Sequence, residues 1–241
     1  IIGEEGVMIT SEAEGIIVDN VNGLMLQDIQ FETKKTPLKV TNSKQIEMID
    51  LQFVIQEESV YFENIEQLIL EQLNVSSESK KHFSQKPNGI DIFKSNDIKV
   101  NDLEITNLQD GIYFARIEDV SIKNSKSTFG RYGIHFMYGK RINVEQNFVS
   151  NNVTGLMLMI VEDLKVEKNT VLRQLMINSN GLYLYDVKDA SVRHNEFLEN
   201  TVATVWNSVR ETTFSENVFQ SNSTVVEAKK SPKVVVEDNQ F

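Results

Sequence analysis

A chain of 241 residues with a formal net charge of -11 and no cysteine excludes several classes of function at once. The acidic balance argues against nucleic acid as a partner, because a polyanion needs a basic surface. The missing thiol removes disulfides and thiolate metal sites, and no apolar run is long enough to span a membrane.

Three prolines and eleven glycines leave little linker material, and β-branched and aromatic residues are spread along the whole length. Helical stripes are hard to find. The chain therefore reads as one all-β domain over residues 1–241. It does not begin with Met and carries no signal peptide, so it reads as a processed or trimmed piece of something longer. The lack of cysteine suits an exported protein.

Internal repeats organise the chain. Coils start at Gly15, Pro37, Ser59, Gly89, Gly111, Gly133, Gly155, Gly181, Ala203 and Val225, at spacings of 22, 22, 30, 22, 22, 22, 26, 22 and 22. A small residue at the start suits a tight corner or a positive φ. Positions two and four are apolar in nearly every coil, as in Ile16 and Val18, Leu38 and Val40, Ile90 and Ile92, and Leu182 and Leu184. Positions ten and twelve repeat the pattern (Leu24 and Leu26, Ile98 and Val100, Val234 and Val236), and position seventeen adds Phe31, Phe53, Val75 and Phe197. Two alternating strands and a shorter third in each coil, at a fixed period, predict a right-handed parallel β-helix of about ten coils.

Position fifteen changes character along the chain. It is Ile29, Leu51, Leu73 and Leu103 early, then Asn147, Asn169, Asn195, Asn217 and Asn239. That series predicts a stacked amide ladder at a corner. Two coils are long, with extra residues within Ser76 to Asn88 and within Leu172 to Asn180, the latter including Met176. Both extras precede a first strand, and solenoid insertions project on one face, often the binding face. The chain stops at Phe241, midway through a coil and without a polar cap, which predicts further chain or a partner beyond it.

The outward face of the first strand carries the unusual chemistry. In the Gly133 and Gly155 coils, Ile134, Phe136 and Tyr138, then Leu156 and Leu158, alternate inward. His135, Met137, Met157 and Met159 alternate outward. Down the coils, position three reads Asp91, Tyr113, His135, Met157, Tyr183, and position five reads Phe93, Ala115, Met137, Met159, Tyr185. Neighbouring coils lie about 4.8 Å apart, and same-face neighbours along a strand about 6.6 Å apart. One ion can therefore recruit His135, Met137, Met157 and Met159, with Met176 reaching in from the inserted turn. Imidazole plus thioether favours Cu(I) over ions that need oxygen or thiolate cages. The alternative is an apolar strip covered by another segment or a partner, with Met as adaptable filler.

The other histidines carry less. His82 lies on a polar loop, and His194 sits beside Asn195 at a corner. A carbohydrate-active β-helix needs clustered acids on its outer face. Here Asp91 is the lone acid near the centre, with Arg116 a coil away, so that reading is weaker.

The run Arg131, Tyr132, Gly133, Ile134, His135, Phe136, Met137, Tyr138, followed by Asn147, Asn151, Gly155, Leu156, Met157, Leu158 and Met159, resembles the NosD family. The likeness is closest from about residue 130 to 200. The resemblance implies a periplasmic or cell-surface β-helix that handles copper rather than catalysing a reaction. It implies partners as well: a copper chaperone, the permease and ATPase components of an ABC system, and a copper enzyme, nitrous-oxide reductase, as acceptor. It places His135 and the Met residues at or near the transfer surface.

Overall fold

The computed structural model describes residues 1–4 and 6–241. The chain winds as a parallel β-helix of about ten turns. Among the described residues, 23 strands belong to one continuous sheet. Each coil pairs with the next in parallel, so that Tyr113 faces His135, His135 faces Met157 and Met157 faces Tyr183. The extra residues stay outside the ladder: across the first long coil, Tyr61 still faces Asp91.

Inward columns form the core. Ile90, Ile112, Ile134, Leu156 and Leu182 stack at position two, and Ile92, Phe114, Phe136, Leu158 and Leu184 at position four, all buried. Phe114 and Phe136 lie ring on ring, centroids 4.3 Å apart. No coil can bury its own apolar face, so this core is collective.

Tyr138 is a correction to the alternation. It is 48% exposed rather than inward. Its φ is 60°, in the left-handed region, as it is at the equivalent Arg116, Ile160 and Asp186. One such residue bends the strand and shifts its phase by one. Position seven therefore inherits the inward role, and Ile117, Val161, Val187 and Val209 are buried there.

The coil-starting glycines are also explained differently than expected. Among the described residues, only Gly6 and Gly23 are glycines with positive φ. A Cβ on Gly155 would stand 2.8 Å from the carbonyl oxygen of Gly181, and one on Gly133 would stand 2.7 Å from that of Gly155. Close approach of successive coils, not backbone conformation, selects glycine here.

The predicted amide ladder is present. Asn147 donates to Asn169, Asn169 to Asn195, Asn195 to Asn217 and Asn217 to Asn239, at 2.9–3.0 Å. Each accepting oxygen also takes the backbone N–H of the donor residue. A second ladder runs at position twenty through Asn152, Gln174, Asn200 and Asn222. It was readable from the same spacing, but one Gln interrupts the Asn series.

Candidate metal centre

The site grows from five successive first strands. Ile90–Phe93, Asp110–Lys123, Tyr132–Glu145, Thr154–Glu167 and Asn180–Tyr185 lie side by side. Their outward positions place His135 directly beside Met157, and Met137 beside Met159. These four candidate donors thus occupy adjoining register positions. Met176 stands apart on the inserted loop, 50% exposed.

His135 is outward yet only 7% exposed. Tyr113 stacks on one face of the imidazole, with ring centroids 4.5 Å apart, and Tyr132 meets it edge-on at 5.0 Å. Its Nδ1 is 2.9 Å from Oδ2 of Asp110. Its Nε2 is fully buried and has no hydrogen-bond partner. Tyr113 in turn donates its hydroxyl to Met137 Sδ at 3.6 Å. The imidazole is therefore wedged between two tyrosine rings, with one nitrogen tied to a carboxylate and the other buried without a hydrogen-bond partner among the described residues.

Asp110 is the residue that periodic reading missed. It is 1% exposed and binds Arg131 through both oxygens, each at 2.8 Å. Its backbone N–H donates to Asn88, the last residue of the first insertion. Burial pushes its carboxyl up, but the hydrogen bonds from His135 and Arg131, with the charge of Arg131, outweigh that and hold it below the ordinary value of 3.8. Asp110 is the first residue of its strand, immediately before Gly111, and precedes the positions from which the alternation was read, so a search along strand faces passes over it. The Asp–Gly step and its one-coil offset from the Arg131–Tyr132 pair were the available signal.

Asp91 is consequently not the lone acid, as the sequence reading had it. Burial raises its carboxyl above 3.8, opposed by hydrogen bonds from Ser59 and Asn88, and the charge of Asp110 raises it further. Both of its oxygens are engaged, one by Ser59 and one by Asn88 at 2.8 Å. The two other histidines behave as expected. His82 is exposed and bonds Ser84 beside it. His194 is exposed at a left-handed turn facing Glu216.

The donor set can be matched to a metal on chemistry. Among the described residues, no group of three or more His, Asp or Glu side chains converges on a metal position. By register His135 neighbours Met157, with Met137 and Met159 one step along the strand, and imidazole and thioether are donor types that soft ions prefer. Met137 also borders an open groove of about 360 Å³ walled by Tyr61, Phe93, Tyr113 and Arg116 over Ala115.

Solved structures share this fold at low identity. The periplasmic alginate epimerase AlgG aligns with a TM-score of 0.66 at 8% identity, covering 97% of this chain and 72% of its own. DFA-IIIase from Arthrobacter chlorophenolicus A6 aligns at 0.67 and 13%, covering 88% and 58%. PfbA, a surface adhesin of Streptococcus pneumoniae, aligns at 0.62 and 12%, covering 88% and 64%. Enzymes and an adhesin alike use this architecture, so fold does not choose the function. No curated protein matches the sequence. The family model for the periplasmic copper-binding protein NosD matches residues 72–241, a stretch that contains all five candidate donors, and the chain belongs to that family.

Proposed function

We propose that this protein handles copper outside the cytoplasm, holding Cu(I) as cargo at His135, Met157, Met137 and Met159 and passing it between partners. Met176 on the inserted loop is the fifth donor and the one free to move. One observation carries the reading: a buried imidazole nitrogen without a partner, on an outer face otherwise made of thioethers and rings. Thioethers are neutral and soft, so they favour Cu(I) and, without a thiolate, let it go again. The family description supports an extracytoplasmic setting. The partners are a copper chaperone, the permease and ATPase of an ABC system and a copper enzyme that accepts the ion.

Competition titration against a Cu(I) chelator tests this. The double variant His135→Ala, Met157→Ala is expected to hold Cu(I) more weakly than the parent by at least about tenfold. Equal retention by both proteins would remove the site.

A carbohydrate-active reading has its own support in the fold of AlgG and DFA-IIIase and in two acids on neighbouring coils, the half-buried Asp91 and the buried Asp110. The hydrogen bonding speaks against it, because every oxygen of both carboxylates is already engaged within the chain. Turnover of an acidic polysaccharide, lost in Asp91→Ala, would favour it.

A further inference from the structure

The free nitrogen of His135 has a cause elsewhere in the chain. Asp110 is 1% exposed, and the fork of Arg131 donates to both of its oxygens at 2.8 Å, so the carboxylate faces His135 as an acceptor. Nδ1 of His135, at 2.9 Å from that carboxylate, must then be the nitrogen that carries hydrogen. In the neutral ring this leaves the lone pair on the buried Nε2, and among the described residues nothing donates to it. The opposite tautomer would set two acceptors against each other at 2.9 Å and bury an N–H with no acceptor.

We infer that Asp110, clamped by Arg131, is the positioning residue of this site: it fixes the Nδ1–H tautomer of His135 and so presents an unprotonated Nε2 to a soft cation. The role of that nitrogen as a ligand rests on the copper reading above; the tautomer does not. Ligating histidines are commonly oriented through their second nitrogen in this way, by a carboxylate that never touches the metal. Tyr113 and Tyr132 add the steric half of the task by blocking ring rotation. Asp110 comes from one rung and both Arg131 and His135 from the next, so correct stacking of the two rungs assembles the site.

Nitrogen-15 NMR of the imidazoles in the metal-free protein reads the tautomer directly. The wild type is expected to show protonated Nδ1 and unprotonated Nε2 at His135. A protonated Nε2 in the neutral ring overturns the inference, whether or not copper binds. Chelator competition on variants reads the consequence. Asp110→Ala is expected to weaken Cu(I) binding about 10- to 100-fold, and to add nothing when His135 is already Ala. An equal loss in both backgrounds would mean that Asp110 acts through the general fold and not through His135. If Asp110→Ala fails to fold, the wild-type tautomer still decides. A wild type with the expected tautomer that binds no Cu(I) overturns the copper reading and leaves the role of Asp110 in fixing the ring intact.

Discussion

An ionised carboxylate that is 1% exposed persists only while its oxygens are engaged, and at Asp110 the partners are Arg131 and His135. Truncation to Ala leaves a half-buried guanidinium unpaired and a buried Nδ1–H unsatisfied. We predict a loss of about 3 kcal/mol by urea unfolding at neutral pH, at the low end for a buried pair because Arg131 can turn toward water. The loss has a defined pH dependence. The Asp110 carboxyl is held below its unfolded value, so its contribution is fully present above the ordinary carboxylate range. It disappears as pH falls through the folded-state value. The stability gap between wild type and Asp110→Ala therefore holds down to the ordinary carboxylate range and narrows only below it, as the folded-state carboxyl takes up its proton. A gap that closes already near pH 6 would contradict this. Asp91 acts with the opposite sign, since its raised carboxyl favours the folded state as protons are taken up. At this scale the sequence showed His135 and the thioethers, because they share strand positions. It hid Asp110, the first residue of its strand, which precedes the positions from which the alternation was read.

At the scale of the coil, successive turns approach so closely that Gly155 has no room for a side chain. A Cβ there would sit 2.8 Å from the Gly181 carbonyl oxygen and 3.0 Å from Val149. Gly155→Ala must push two coils apart and is expected to cost about 1–3 kcal/mol, seen as a lower melting temperature. An unchanged melting temperature would mean that the coils slide freely. The corner ladder gives a second case. Asn169→Ala removes the acceptor for both the backbone and the side chain of Asn147. It also empties the donor position that Val144, Glu167 and Asn195 share. A loss of about 2–3 kcal/mol is expected, and a loss within error would show the ladder to be ornamental. The ladder was legible because Asn recurs in one register. The phase shift at Tyr138 was not. Left-handed corners elsewhere in this fold are taken by Arg116, Ile160 and Asp186, which share no composition that marks a turn.

Across the whole molecule the fold is one-dimensional: every contact that matters joins a coil to its neighbour. A fixed period in the sequence was therefore enough to place His135 against Met157 and Met137 against Met159. The inserted loops were legible as interruptions of that period, but not in their detail, because they lie outside the ladder. Leu175, Met176 and Ile177 are all exposed there. Deleting Leu175–Asn178 restores the common spacing and is expected to leave the fold intact, with the melting temperature changed by no more than about 2–4 °C. If Met176 contributes to cargo binding, the same deletion weakens Cu(I) retention without that change. Collapse of the fold would show that the loop is structural.

X-ray absorption at the copper edge of the Cu(I)-loaded protein tests the central claim most directly. The account predicts a mixed first shell of nitrogen and sulfur, with sulfur amplitude that falls in Met157→Leu and a nitrogen contribution that vanishes in His135→Ala. A shell of nitrogen and oxygen alone, or one unchanged by both substitutions, would contradict it.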